Sequence, residues 1–387
     1  MGNTSGSPTV ALPTEKGIDS PRRSVGSPDV GQPFAISTTE FHVQPTEACQ
    51  ATPSVTDFFD LEVESAMAST VAAAASPGHY ATVYRGRHRR NNQPVAIKKI
   101  RRALTDEVRL KQSEVAALRK IQKHPHIVTL LDVFETAGDV YVVMELCTGG
   151  ELFERLAEKG PYSEMDCMRH IRSMAEAVAY MHANDIVHRD LKPENILLST
   201  PDDTLATIKI ADFGLAKITT VSSMKTKCGT WGYSAPEMIS GSGCAFGYDA
   251  KVDSWSLGTI LYILYPADTR LCGFHPFDPH GTRSDNEMIA AIKKCQFDFE
   301  DEAATRWSTE AHGDAWVGIS AQAKDLIRHL LVLDPTERYS MQDVLGHLWL
   351  TGVEGVDIPV QPLSPTIHTD LGRYQKSSKQ KMYDYED

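Results

Sequence analysis

The sequence is short of several things, and each shortage closes off a class. It has no apolar run long enough to cross a membrane and no charged-then-apolar leader, so membrane-spanning and secreted classes are set aside. Its seven cysteines (Cys49, Cys147, Cys167, Cys228, Cys244, Cys272, Cys295) are odd in number and widely spread, with no CxxC pair. That argues against a zinc site or a disulfide framework and for a reducing compartment. Basic residues are the minority, with 39 Lys and Arg against 51 Asp and Glu for a net charge of −12. A dedicated nucleic-acid binder would carry a basic face instead. No calcium loop of the D-x-D-x-D-G type and no internal repeat occurs. The start MGNTSGS has Gly2 after the initiator, but Gly6 stands where a myristoylation signal has Ser or Thr. A plain flexible start is expected, and the expected location is cytoplasmic, with the nucleus left open.

What is present is ordinary globular composition, 41% apolar and 23% charged over 387 residues, arranged in blocks. Residues 1–68 are rich in Ser, Thr, Pro and Gly and lack sustained periodicity; they read as disordered. The segment 351–387 reads the same way and ends in the acidic YDYED. Between them lies a folded region, 69–350. YATVYRGRH (80–88) and QPVAIKKI (93–100) alternate as strands do, with NNQP as the turn between them. TDEVRLKQSEVAALRKIQK (105–123) reads as a helix with an apolar stripe at Val108, Val115, Leu118 and Ile121. HIVTLLDVFE (126–135) and DVYVVMEL (139–146) return to strand character. Beyond residue 147 the texture is helical. CMRHIRSMAEAVAYMHAN (167–184) carries Met168, Ile171, Met174, Val178 and Met181 at helical spacing. KVDSWSLGTILYIL (251–264) is apolar nearly all round, as a helix buried on every side is. Further helices are expected over 323–334 and 341–350. The class is α+β: a small antiparallel-sheet lobe (about 69–146) with one main helix, then a larger helical lobe (about 147–350).

The densest chemistry is in VHRDLKPENILL (187–198). It puts Asp190, Lys192 and Asn195 on one loop between a helix and an apolar strand. Phosphoryl transfer needs a carboxylate to orient a hydroxyl and take its proton, a cation near the migrating group, and oxygen ligands for Mg²⁺. Asp190 suits the first role, Lys192 the second, and Asn195 offers an amide oxygen. IKIADFGLA (208–216) then places Asp212 at the end of a strand as a second metal ligand.

Four strings now stand in a recognisable order: VAIK at 95–98, HRDLKPEN at 188–195, DFG at 212–214 and APE at 235–237. Together they resemble the eukaryotic protein kinases, from about residue 78 to 350. The resemblance implies a bilobal fold, ATP and Mg²⁺, and protein substrates. It implies that Lys98 holds phosphates and pairs with Glu114, and that Asp253 anchors the catalytic loop. It implies that Arg338 pairs with Glu237, and that Leu118, Leu130, His188 and Phe213 stack between the lobes. Around the adenine it implies Val83, Ala96 and Leu197, a gatekeeper at Met144, and a hinge at Glu145 and Cys147. Glu151 matches a ribose contact, and Glu151 with Glu194 match a pocket for a basic residue ahead of the phosphosite.

KPEN marks the Ser/Thr type, and GGELFERL, CGTWGYSAPE and LCGFHPF are similar to the calcium/calmodulin-dependent group. Control by calmodulin stays open, because the tail after Leu350 has no basic amphipathic helix. Thr226, just before CGT, matches an activation phosphosite and so implies an upstream kinase as a partner. Two departures stand out. Tyr265–Arg270 is an insertion. In the glycine loop, G-x-G-x-x-G has become Ser76, Pro77, Gly78, His79, Tyr80, Ala81, so that only Gly78 survives. An active Ser/Thr kinase is therefore set against a pseudokinase scaffold with weak nucleotide binding.

Overall fold

In the computed structural model the described residues are 54–62, 81–102, 114–121, 123–159, 163–214, 216–218, 231–240, 250–264, 275–279, 281–297, 299 and 319–352. The first lobe is an antiparallel sheet of five strands: β1 Phe59–Glu62, β2 Ala81–His88, β3 Pro94–Arg101, β4 Leu130–Glu135 and β5 Asp139–Glu145, in the order β1-β2-β3-β5-β4. Alternation along β3 divides its side chains between two cores. Ile100 joins Val140, Val142, Leu130 and Leu118 on the face toward the helical lobe. Val95 and Ile97 face the other way with Val143 and Phe134.

That second face is covered by a segment that composition assigns to the disordered opening. Residues Val55–Phe58 form one helical turn (α1), closed by a capping box between Ser54 and Asp57, and lead straight into β1. Val55 and Phe59 are buried, and the Phe59 ring meets Phe134 edge-on at 5.9 Å and His88 at 5.0 Å. β1 pairs with β2 from Phe59↔His88 to Glu62↔Arg85. Gly86 makes this possible: a Cβ there would lie 2.8 Å from Ile97 and 3.1 Å from the Asp60 carbonyl. The folded lobe thus starts before residue 69, its expected boundary. The physical reason is two phenylalanines and a valine, enough to cover one sheet face although their neighbours are polar. The β1–β2 connection is 63–80, where the expected glycine loop falls; Gly78 lies outside the described residues.

Expected helix 105–123 is described only over Glu114–Lys120 (α2), with 103–113 outside the description. The expected strand 126–135 begins only at Leu130. His126–Thr129 spends its backbone bonds elsewhere: Val128 N–H donates to Ile210 O, Ile210 N–H to His126 O, and Glu145 N–H to Thr129 O.

The second lobe is built on two helices. Glu164–Ala183 (α4, after α3 Leu152–Lys159) starts at Ser163, whose hydroxyl accepts from Asp166 N–H, and it buries Cys167, Ile171, Met174, Val178 and Met181. Val252–Leu264 is buried at every residue, as its apolar sequence predicts. Ala321–Leu330 packs beside it. The last expected helix divides into Met341–Gly346 and Leu348–Thr351, because His347 is extended and its ring accepts from Trp349 N–H as a cap. Asp325 accepts from His347 Nε2 at 3.0 Å, which fastens these helices together. Among the described residues, no helix is long and apolar enough to cross a membrane.

Phe59→Ala is expected to cost about 3–5 kcal/mol, the usual loss for a buried ring. Urea unfolding measures it. A cost below about 1 kcal/mol, the range of surface changes, would mean that this segment is no part of the folded lobe.

Candidate active site

The loop 188–195 is held from below by one carboxylate. Asp253, at the start of the all-buried helix, is itself 0% exposed. Its Oδ2 accepts from His188 N–H at 2.9 Å and lies 2.8 Å from His182 Nε2; its Oδ1 accepts from Arg189 N–H at 2.8 Å. Burial pushes the Asp253 carboxyl up, but the hydrogen bond and charge of His182 and the Arg189 N–H outweigh it, leaving it below the usual carboxylate range. Arg189 sits at φ 68°, in the left-handed region that non-glycine residues avoid. Two bonds to Asp253 from successive N–H groups hold that strained turn in place.

Above it the reacting groups converge. Lys192 Nζ lies 3.1 Å from Asp190 Oδ2. Burial lowers the Lys192 pKa, but Asp190 and Glu194 more than offset this and hold it above its ordinary value. The Asn195 amide donates to Asp190 O at 2.8 Å, so its amide oxygen is the atom left for a cation. Ala211 N–H donates to Asn195 O at 2.9 Å and brings the next strand alongside. That strand, Ile208–Ile210 (β8), pairs with β7, Ile196–Leu198, which follows the short β6, Ile186–Val187, and it ends just before Asp212. Asp212 is also left-handed, at φ 58°, with its Oδ1 taking Gly214 N–H and Lys98 Nζ at 2.8 Å. The Lys98 charge holds the Asp212 carboxyl well below the usual range. These are hard oxygen donors flanked by two lysines, a set that fits Mg²⁺ and phosphate oxygens. Asn195 and Asp212 would hold the metal, which when bound neutralises phosphate charge.

The pairing of Lys98 with Asp212 joins groups that sequence placed at one site but did not pair. Glu114, the expected partner, opens α2, and its side chain lies outside the described residues. Lys99 turns to the opposite face, as alternation requires, and meets Asp139 at 3.1 Å. Val83 lies across from Lys98, and Ala96 across from Met144, so the sheet register gathers three expected adenine neighbours. Leu197 is half-buried in β7 and bridges to Glu151, which is buried. Gly149 docks the hinge on the second lobe: its N–H donates to Leu198 O, and a Cβ would lie 2.3 Å from Thr200 O. Cys147 is buried, and burial together with the Glu145 carboxylate pushes its thiol up to about 12. The Glu145 side chain accepts from Thr129 and Lys209, contacts that sequence reading missed because they join distant segments.

Leu118, Leu130 and Phe213 lie in one continuous core, and His188 meets the Phe213 ring at 5.0 Å while its Nε2 lies 3.1 Å from Ala211 O. Arg338, 1% exposed, takes Glu237 through two bonds of 2.7 and 3.1 Å and also donates to Val332 O and Lys251 O. Among the described residues, Glu194 Oε2 is buried with no hydrogen-bond partner. Thr226 and the insertion 265–270 lie outside the described residues.

The chain matches the family model described as protein kinase domain over residues 76–350. It belongs to the protein kinase family. It is 41% identical to calcium/calmodulin-dependent protein kinase type IV of Homo sapiens, over 77% of this chain and 55% of that protein. It is 40% identical to calcium/calmodulin-dependent protein kinase type 1B of Rattus norvegicus, over 72% of this chain and 74% of the relative. Myosin light chain kinase A of Dictyostelium discoideum is 41% identical over 70% of this chain and 84% of its own length. The chain is thus similar to the calcium/calmodulin-dependent protein kinases, and it spans about half the length of the type IV relative.

Asp253→Asn places an amide against two N–H donors and is expected to cost about 3 kcal/mol at neutral pH, from buried donors at about 1–3 kcal/mol each. The depressed carboxyl contributes its stability fully above the ordinary value of 3.8 and loses it as pH falls through the lower folded-state value. The gap between wild type and variant should therefore shrink below that point, measured by paired denaturation curves. A gap indifferent to pH would mean that the buried group is uncharged.

Proposed function

We propose that this protein transfers the γ-phosphoryl group of ATP to Ser or Thr hydroxyls of protein substrates. One observation carries the reading: Asp190, Asn195 and Asp212 present oxygen donors in one place, between the ammonium groups of Lys98 and Lys192. Asp190 accepts the proton of the incoming hydroxyl. Lys192, beside it, faces the charge that builds on the transferred group, and Lys98 binds phosphate oxygens. Bound Mg²⁺ would screen the phosphates. The completeness of this polar set supports an enzyme over a scaffold, whatever the sequence of the 63–80 connection.

Glu194 supports a substrate with a basic residue, at the third position before the phosphosite. Among the described residues Glu194 Oε2 has no donor, so the carboxylate keeps acceptor capacity that a guanidinium would use. Glu151 is the second carboxylate of that pocket. Activation runs through Thr226, whose phosphate would meet Arg189. Calmodulin, which the names of the relatives include, is the candidate regulator.

With Mg-ATP and a basic peptide, Asp190→Asn should lower phosphate incorporation at least about a hundredfold. Equal incorporation by both proteins would sink the assignment. Glu194→Gln should reduce the preference for Arg over Ala three residues before the acceptor, read on a peptide array, while leaving ATP affinity alone. A phosphorylated protein no faster than Thr226→Ala would remove the proposed switch.

A further inference from the structure

Glu145 is the first residue of the hinge, and its side chain has three donors. Thr129 supplies its N–H at 2.7 Å and its hydroxyl at 2.8 Å, and Lys209 Nζ lies at 2.8 Å, all on Oε1. The backbone reinforces the join, because Glu145 N–H donates to Thr129 O at 3.0 Å. Lys209 is 9% exposed and stands in β8, across from Leu197 and three residues before Asp212. One carboxylate therefore ties together the hinge edge, the strand that leads into Asp212 and, through the strand pairing, the residue expected under the adenine ring. The segment 126–129 adds its own bonds to Ile210, so the join is made from three sides.

A half-buried ion pair is a weak stabiliser, since desolvation of the buried Lys209 offsets much of its attraction to the partly exposed Glu145. What such a pair does supply is a fixed distance and direction. We infer that Lys209 is a positioning residue for nucleotide: through Glu145 it fixes the hinge edge relative to Leu197 and Asp212, so that adenine and phosphates are met together. Lys209 acts on ATP without touching it. The inference rests on the ATP-dependent reading above.

The test compares wild type, Lys209→Met and Lys209→Arg. It measures direct binding of Mg-ATP and Mg-ADP, KM for ATP, KM for a basic peptide, kcat and melting temperature. Lys209→Met strands the Glu145 carboxylate and should weaken nucleotide binding and raise KM for ATP by roughly three- to tenfold, with KM for peptide within about twofold. Lys209→Arg keeps a cation on Oε1 and should restore most of the loss. Thr129→Val removes only the hydroxyl donor and should give a smaller shift in the same direction; it serves if Lys209→Met does not fold. Unchanged nucleotide binding in a folded Lys209→Met or Thr129→Val protein overturns the inference. So does a parallel loss in peptide KM, nucleotide binding and melting temperature, the pattern of a merely structural residue. If wild type itself binds no nucleotide, the functional reading falls first and takes this one with it.

Discussion

Everything at the site hangs on the Asp253 carboxylate. A charge taken fully out of water is tolerable only if hydrogen bonds replace its hydration, and here the replacements are the backbone N–H groups of His188 and Arg189 and the His182 ring. Each partner gains something. Asp253 is solvated, and the catalytic loop acquires a conformation that its own residues would not adopt. Arg189 at φ 68° is the visible sign of that exchange. With the loop fixed, Asp190, Lys192 and Asn195 point from one rigid platform, and His188 and Phe213 relay the platform's position into the core between the lobes. Preorganisation of this kind is what phosphoryl transfer asks of a protein, since the chemistry itself is mostly positioning and charge.

Much of this was legible in the sequence because it was local. The period of 167–184 gives a helix, and the structure extends it only to its Ser163 cap. The apolar run 251–264 gives a helix buried on all sides. HRDLKPEN and DFG read as chemistry because short spacings fix which side chains share a loop. Less legible was anything set by what packs against it. Phe58 and Phe59 sit in a stretch whose average composition says disorder, and only the bare face of Val95, Ile97, Phe134 and Val143 gives them a place. His126–Thr129 has strand-forming residues, yet its backbone bonds go to Ile210, Glu145 and His124. Glu145 and Lys209 carry no sequence signal that they meet, because a long-range ion pair leaves no period behind. Asp325 and His347 are the same case, one helix apart.

The sheet lobe shows the same division of labour on a smaller scale. Its inner face meets the nucleotide side, with Ala96, Lys98 and Met144 arranged by register. Its outer face needed a cover, and the chain supplies one from before the strand pair it protects. β1 is short and at the edge of the sheet, and it alternates Asp60 and Glu62 with apolar neighbours. Those charges meet Arg89 and Arg87 and make the edge unattractive to a foreign strand.

The bonds that define the site close very long loops. Lys98 to Asp212 spans 114 residues, Arg338 to Glu237 spans 101, and His188 to Asp253 spans 65. Loop closure of that length must be met before any of these contacts returns free energy, which places them late in folding. A chain emerging from the ribosome has its sheet lobe complete long before Asp253 exists to hold the catalytic loop. The nascent polypeptide is therefore without its assembled site until the helical lobe has been made.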